Sequence, residues 1–212
     1  MQITGIISEY NPFHNGHKYL IDEHRRRYGS GIIAVMSGDF TQRGEAALPD
    51  KWTRASLAVH GGADLVLELP CCFAVRSAEH FARGGVQLLQ RLGIVNTLCF
   101  GSEYADAKLI KNLARLQYSA SFSGRLREEL QNGKSYASAV CSALNEVSGI
   151  SEQTLRSPNL ILGMEYAKQA YDVQSDSFIF DFDIIKRQTA GHNDEAFHGS
   201  YASGTAIRRL LY

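Results

Sequence analysis

The stretch EYNPFHNGH, residues 9–17, decides the fold of this chain because of what lies on either side of it. Before it, the apolar and β-branched run Ile3–Ile7 predicts a buried first strand. After it, the pair Tyr19–Leu20 followed by three arginines predicts an amphipathic helix that ends at Gly29. The stretch therefore forms a turn that leads from a strand into a helix.

The predicted start of that helix is suited to an anion. The first turn of a helix has backbone N–H groups without partners in the helix, and the helix dipole favours negative charge there. Pro12 stiffens the turn, and Gly16 has no Cβ, so a flat ligand or a second backbone can come close. We expect His14 and His17 to face the same space. The turn is therefore a candidate phosphate site.

Two other roles are open to these histidines. His14 could be a solvated loop residue and His17 an ordinary residue of a helix N-terminus. The pair could also bind zinc, but the remaining histidines show no complementary ligand spacing. Those remaining histidines are His24, His60, His80, His192 and His198. We therefore predict no metal ligands in the protein itself.

Composition limits the class of protein. With 212 residues, 44% of them hydrophobic, the chain is long enough for one α/β domain with a sizeable core. Lys and Arg number 22, as do Asp and Glu, so there is no overall positive charge to indicate nucleic acid binding. An RNA contact would have to use a local patch such as residues 25–27.

Cysteine placement and hydropathy indicate the compartment. The cysteines lie in apolar surroundings without CxxC spacing, which predicts buried thiols in a reducing environment. They are Cys71, Cys72, Cys99 and Cys141. No segment resembles a signal peptide, and no apolar stretch approaches the length of a membrane span. The expected location is the cytoplasm.

Strand and helix patterns alternate along most of the chain, which predicts an α/β fold with a Rossmann-like doubly wound parallel sheet of about five strands. The strands after the first are predicted at Ile32–Met36, Asp64–Pro70, Thr97–Phe100 and Ser177–Phe182, and residues 184–187 could extend or follow the last of them. A helical insertion is predicted over residues 107–175, with helical patterns at 107–116, at 122–147 and from 158 onward. We expect the pattern at 122–147 to be interrupted at Gly133 and to end near Gly149.

Polar residues after the predicted strands are candidates for ligand binding. Arg43 lies in the loop of residues 40–45 that follows the second strand, and is a candidate anion contact. Lys51 and Arg54 share one face of the next helix, where Asp50 is the predicted cap, and could point at a substrate or at solvent. Residues 203–208, SGTAIR, predict a second helix start suited to phosphate.

Two motifs in this order resemble the signatures of the nucleotidyltransferase superfamily of the His-x-Gly-His type. They are HNGH at residues 14–17 and SGTAIR at residues 203–208. A finer resemblance, over nearly the whole chain, is to the tRNA(Met) cytidine acetate ligase family. It is carried by EYNPFHNGH at 9–17, MSGDFTQRGE at 36–45, LELP at 67–70, FGSE at 100–103 and PN at 158–159.

That resemblance implies an enzyme that uses ATP, with Mg²⁺, to activate acetate as acetyl-adenylate. The acetyl group would pass to N4 of the wobble cytidine of elongator tRNA(Met). The resemblance implies His14, His17 and Arg208 as catalytic residues. It implies as ATP-binding residues Ile7, Ser8, Glu9, Tyr10, Asn11, Pro12, Phe13, His14, Asn15, Gly16, His17, Lys18, Tyr19, Leu20, Gly101, Asn159, Arg187, Ser203 and Thr205.

Members of that family continue for a comparable length with a further helical region, which is absent from these 212 residues. We therefore expect residues 1–212 to form the adenylating domain and to bind tRNA weakly. Two alternative functions remain open from the sequence. One is an adenylyltransferase that acts on a phosphorylated small metabolite, and the other is a nucleotide-binding module without turnover.

Overall fold

A computed structural model of the chain describes residues 2–187 and 204–210. Its strands are β1 (Ile3–Ser8), β2 (Gly31–Ser37), β3 (Leu65–Leu69), β4 (Thr97–Ser102), β5 (Tyr171–Asp172), β6 (Ser177–Phe178) and β7 (Asp181–Lys186). Its helices are α1 (Asn15–Tyr28), α2 (Lys51–His60), α3 (Cys71–Ala74), α4 (Ala78–Arg91), α5 (Ala107–Leu116), α6 (Ala120–Gln131), α7 (Tyr136–Ser148), α8 (Glu152–Leu155), α9 (Pro158–Ala170) and α10 (Gly204–Arg209).

Five of the strands form one sheet in the order β3–β2–β1–β4–β7. Every neighbouring pair in this sheet is parallel. The strand order reverses direction between β1 and β4, which is where ligands bind in open α/β sheets. The predicted Rossmann-like doubly wound sheet of five strands is confirmed.

Both faces of the sheet are covered, as the uninterrupted apolar runs of β1 and β2 require. On β2, Ile32 and Ala34 belong to a core shared with α1 and α2. Ile33 and Val35 point the other way, into the larger core formed with α4, α5 and α9. The period of two along a strand thus divides its side chains between two separate cores.

The fifth sheet strand begins later in the chain than the sequence predicted, and it includes residues 184–186 of the run that could extend the predicted strand. Of the predicted strand Ser177–Phe182, the first two residues pair antiparallel with β5 in a short hairpin, and the sheet strand β7 begins at Asp181. The alternation of residues 177–182 suits a strand with one covered face. A parallel strand is buried on both faces and has consecutive apolar residues, which here are Ile184 and Ile185.

The predicted helical insertion is confirmed with one change. It ends at Ala170, because the β5–β6 hairpin begins at Tyr171. The predicted interruption at Gly133 is confirmed, since the structure has two helices there, α6 and α7, and Gly133 between them has φ +82°. Only glycine adopts that conformation without strain, so the chain reverses there and α7 packs back against α6.

The prediction that all four cysteines are buried was wrong for two of them. Cys71 and Cys72 are exposed on α3, whereas Cys99 and Cys141 are buried, and all four are free thiols. Pro70 separates β3 from α3, so the two cysteines begin a short helix instead of continuing the strand. Within the described ranges, no helix has both the length and the apolar character needed to cross a membrane.

A buried polar network joins the first helix to the last sheet strand. His24 Nδ1 lies 2.6 Å from Asp183 Oδ2, and His24 Nε2 lies 2.7 Å from Thr4 Oγ1. Cys99 is close enough to complete a three-residue metal cluster with His24 and Asp183. Both ring nitrogens already have protein partners, however, and Arg27 donates to Asp183 Oδ1 at 3.2 Å. The network is therefore a structural link.

The basic run at residues 25–27 is occupied by ion pairs. Arg25 bonds to Asp64, and Arg26 and Arg27 both bond to Glu23. These pairs reduce the positive charge that the run could offer to RNA.

Candidate functional site

A cavity of about 430 Å³ opens at the carboxyl ends of β1, β4 and β7, beside the switch in strand order. It brings together most of the residues that the sequence indicated. The predicted residues that line it are Ile7, Ser8, Glu9, Tyr10, Asn11, Pro12, His14, Gly16, His17, Tyr19, Leu20, Arg43, Gly101, Asn159, Arg187, Thr205 and Arg208. The two motifs, almost 200 residues apart in sequence, therefore share one wall.

Three of the predicted ATP-binding residues within the described ranges do not line the cavity. Asn15 and Lys18 lie on the side of α1 that turns away from it, and Lys18 pairs with Asp22 at 2.9 Å. Phe13 packs against Tyr10, with ring centroids 5.1 Å apart. The helical period explains the first two, because residues 16, 17, 19 and 20 face the cavity and leave 15 and 18 on the flank. Ser203 lies outside the described residues, as do His192 and His198.

The two histidines cap α1 reciprocally. His14 is the N-cap residue, and its Nδ1 accepts the Gly16 N–H at 3.1 Å. In return, His17 Nδ1 accepts the His14 N–H at 3.2 Å. The rings stack with centroids 3.8 Å apart. Since both Nδ1 atoms accept hydrogen bonds, each neutral ring carries its proton on Nε2 and can donate it to a ligand.

This capping changes the expected basis of anion binding. The sequence predicted unpaired backbone N–H groups in the first turn of α1, but Gly16 N–H bonds to the His14 ring and His17 N–H to the His14 carbonyl. The donors that this turn can offer to an anion are instead the imidazole Nε2–H groups, which make no hydrogen bond to another residue in the described ranges. Gly16 is required by the same contact, because a Cβ there would lie 2.9 Å from His14 Cε1.

Burial keeps both imidazoles neutral. Desolvation, together with the positive charge of Arg187, lowers the pKa of His14 from 6.5 to about 4. Desolvation, with His14 and Arg187 as neighbours, holds the pKa of His17 well below its usual value. Near pH 7 the rings are therefore neutral hydrogen-bond donors, and a bound anion would favour their protonation.

These depressed pKa values predict a loss of stability in acid. A histidine whose folded pKa is depressed stabilises the fold above pH 6.5, and this contribution is lost as the pH falls toward the folded value of about 4. We expect the thermal midpoint of the ligand-free protein to fall over this interval, and to fall less in His14→Asn, which keeps a capping acceptor. Differential scanning calorimetry across the pH series measures it. The exposed His60→Asn serves as control, and an equal fall in all three proteins would contradict the assignment.

The turn before α1 is held by bonds from three directions. Glu9 Oε1 accepts the Gln42 N–H at 2.6 Å, and Asn11 Oδ1 accepts the Leu48 N–H at 2.7 Å. Arg208 of α10 donates from Nη1 to the Asn11 carbonyl at 2.7 Å. The turn is therefore fixed both to the segment after β2 and to the last helix.

The second motif reaches the site through close packing. A Cβ at Gly204 would lie 2.9 Å from the Asn11 carbonyl oxygen, so the start of α10 sits directly on the turn. Arg208 Nη2 lies 3.3 Å from Thr205 Oγ1, which keeps the guanidinium over the same space. Thr205 and Arg208 therefore lie beside the 9–17 turn.

The opposite wall is a chain of polar contacts. Arg187 Nη1 lies 3.3 Å from Asn159 Oδ1, and Asn159 Nδ2 donates to Glu103 Oε1 at 2.7 Å. A Cβ at Gly101 would touch both Arg187 and Leu20 at 3.4 Å, so this glycine lies between the two side chains. Glu103 thus fixes the orientation of the Asn159 amide, and with it the guanidinium of Arg187.

Of the three other basic candidates, only one lines the cavity. Arg43 lines it, in the loop after β2. Lys51 instead pairs with Glu68 at 3.0 Å, and the Arg54 side chain is fully buried. Their helical spacing correctly placed them on one face of α2, but spacing alone carries no information about what that face meets.

Sequence reasoning missed several lining residues. They come chiefly from the loop after β2 and from the buried faces of α4 and α9, namely Ile6, Thr41, Gln42, Glu45, Ala78, Phe81, Phe100, Pro158, Ile161, Leu162, Tyr166, Ile185, Lys186 and Gly204. For the loop, its place beyond the end of β2 was a usable signal. The apolar residues of α4 and α9 resemble ordinary core residues in sequence and gave no such signal.

Comparison with known proteins places these features in a family. The profile of the HIGH Nucleotidyl Transferase family matches residues 1–212. A tRNA(Met) cytidine acetate ligase of Acetivibrio thermocellus is 42% identical over 217 residues, which cover 100% of this chain and 52% of that protein.

Two crystal structures of Thermotoga maritima TmcAL have a similar fold. The apo form has a TM-score of 0.90 and 40% identity, covering 100% of this chain and 51% of the other. The form bound with alpha-thio ATP has a TM-score of 0.86 and 38% identity, covering 100% and 50%.

The sheet, the two helix starts and the shared cavity, together with this match, show that the chain belongs to the HIGH nucleotidyl transferase family. Within that family, the proteins it is similar to are tRNA(Met) cytidine acetate ligases. The chain spans about half the length of these relatives.

Proposed function

We propose that this chain binds ATP and uses it to convert acetate into acetyl-adenylate. The observation that carries the proposal is the cavity in which the 9–17 turn and the start of α10 meet at the carboxyl edge of the sheet. Similarity over the whole chain to a protein crystallised with alpha-thio ATP supports ATP as the ligand. The residues assigned to ATP are the predicted ones that line this cavity.

Formation of acetyl-adenylate requires hydrogen-bond donors and positive charge of the kind found in the cavity wall. A carboxylate oxygen of acetate attacks the α-phosphorus, the bond from that phosphorus to the β-phosphate oxygen breaks, and pyrophosphate leaves with the electron pair. Negative charge on the phosphoryl oxygens must be stabilised, while no covalent nucleophile is needed. We assign that role to the Nε2–H groups of His14 and His17 and to the Arg208 guanidinium. Arg187, which faces the same cavity, adds positive charge.

Mg²⁺ fits this site as a companion of the triphosphate. The ion is usually held by substrate phosphates, water and one or two carboxylates. The described cavity wall includes Glu9 and Glu45. When bound, the ion would neutralise charge on the phosphates.

We further propose that the acetyl acceptor is N4 of the wobble cytidine of elongator tRNA(Met), in the cytoplasm. The names of the relatives support a cytidine of tRNA(Met) as the acceptor. In that step the N4 amino group attacks the acetyl carbonyl carbon, AMP leaves, and N4 loses one proton. We expect acetate activation not to require tRNA, because the residues assigned to ATP line a cavity within the described part of this chain.

We predict weak tRNA binding by these 212 residues. Equal numbers of acidic and basic residues, and a basic run already paired with carboxylates, leave few cations to neutralise phosphates. Filter binding of elongator tRNA(Met) across a salt series should give low affinity and a shallow salt slope. Tight binding that weakens steeply with salt would contradict this prediction.

The proposed function is tested by incubating the chain with ATP, Mg²⁺ and acetate. Mass spectrometry should detect acetyl-AMP without tRNA, and pyrophosphate exchange into ATP should require acetate. Exchange that requires a phosphomonoester instead would favour an adenylyltransferase acting on a phosphorylated metabolite. ATP binding with neither exchange nor product would favour a nucleotide-binding module.

A further inference from the structure

Arg54 of α2 is fully buried, yet within the described ranges its hydrogen bonds go to backbone carbonyls and to no carboxylate. The acceptors are Pro49 O, 3.0 Å from Nε; Glu9 O, 2.7 Å from Nη1; Ser37 O, 3.1 Å from Nη1; and Gly38 O, bonded to Nη2. Burying a charge is costly. The carboxylates of Glu9, Asp39, Asp50 and Glu68 are close enough to attract this charge, but none of them makes a hydrogen bond to the guanidinium. The four carbonyl acceptors satisfy four of the five N–H donors of the guanidinium and hold it in one orientation.

These carbonyls belong to two segments whose relative position shapes the cavity. Glu9 begins the turn that follows β1, while Ser37 and Gly38 lie where β2 passes into the loop that contains Arg43. One planar guanidinium therefore spans the carboxyl ends of two adjacent strands. It sets the separation between two loops that both line the cavity.

The Glu9 carbonyl also lies directly before Tyr10, the residue of the turn whose backbone is strained. Tyr10 has φ +47°, a left-handed conformation that non-glycine residues adopt only when their surroundings hold them there. Its ring is buried and meets the His17 ring edge-on, with centroids 4.8 Å apart. A shift of the Glu9–Tyr10 backbone would therefore move both His17 and the carbonyl of Asn11 that Arg208 binds.

We propose that Arg54 is a positioning residue of the nucleotide site. It is absent from the cavity wall, and it acts by fixing the strand ends and the strained turn on which the histidines and Arg208 depend. This inference rests on the proposed ATP function. It adds to that function a residue that never contacts the nucleotide.

The test compares Arg54→Lys and Arg54→Ala with wild type. Lysine keeps the charge but cannot reach several carbonyls at once. We expect Arg54→Lys to weaken ATP binding, measured by calorimetry, roughly 10-fold or more, because misplaced binding groups lose much of their effect. In Arg54→Ala, low millimolar guanidinium should restore affinity, whereas sodium chloride at the same ionic strength should not. Circular dichroism verifies that each variant is folded.

The matched control is Arg25→Ala, which removes an arginine that donates to the Gly62 carbonyl and to Asp64 away from the cavity. It should leave ATP affinity unchanged. Amide hydrogen exchange of the 8–14 segment without ATP gives a second readout, which should be faster in Arg54→Lys and unchanged in Arg25→Ala.

The two readouts separate the inference from the proposed function. If wild type fails to bind ATP, the proposed function fails, and faster exchange confined to the Arg54 variants still supports the positioning role. Wild-type ATP affinity and wild-type exchange in Arg54→Lys would overturn the inference alone. Failure of guanidinium to restore a folded Arg54→Ala would also overturn it.

Discussion

His14→Ala and His17→Ala should each lower the rate of acetyl-adenylate formation by roughly 100- to 1,000-fold, because each removes a preorganised donor from the transition state. The two Nδ1 atoms are engaged in capping α1, so the Nε2–H groups are the parts of the rings that remain for the substrate. ATP–pyrophosphate exchange in the presence of acetate measures the effect.

Alanine at position 14 also removes a helix cap, which costs about 1 kcal/mol of stability. His14→Asn separates the two roles, because asparagine can accept the Gly16 N–H but has no Nε2–H at that position. We expect His14→Asn to be as slow as His14→Ala and nearly as stable as wild type. The exposed His60→Ala should behave as wild type. A His14→Asn variant with near wild-type exchange would show that the ring acts only as a cap.

Arg208→Lys should lower the same exchange rate by about 100-fold, because small misplacements in a site of this kind are expensive. Arg208 both joins α10 to the turn through the Asn11 carbonyl and faces the cavity with its remaining N–H groups. Lysine keeps the charge and loses the fork that allows both contacts. The neighbouring Arg209→Lys is the matched control. Equal rates in the two variants would remove Arg208 from the catalytic assignment.

Much of this architecture was predictable because it depends on local patterns. Uninterrupted apolar runs correctly gave β1 and β2, and Asp50 caps α2 as predicted, accepting the Trp52 and Thr53 N–H groups. The start of the fifth sheet strand was misplaced because a hairpin with alternating polar and apolar residues precedes it. Such alternation does not show with which other strand a segment will pair.

The site could be predicted where a sequence motif determines the local backbone. It could not be predicted where a side chain binds a residue that is distant in sequence. His14 and His17 were recognised, but their reciprocal capping depends on ring orientations that spacing leaves open. Arg54 was considered for substrate contact, whereas it binds carbonyls of segments that fold beside it. Glu103 gave no sign of its role, because the Asn159 amide that it orients lies 56 residues later.

The hydrogen bond from Arg208 to Asn11 spans 197 residues of sequence, so the described cavity lacks the wall that α10 forms until residue 208 has been synthesised. The 9–17 turn is synthesised first and stays open on that side until α10 follows. A nascent chain therefore displays one half of the pocket during that interval, while α2 holds the strained Tyr10 backbone through the bond from Arg54 to the Glu9 carbonyl. Nucleotide capture has to follow the synthesis of α10, and a product truncated before α10 would keep the sheet while lacking the closing arginine.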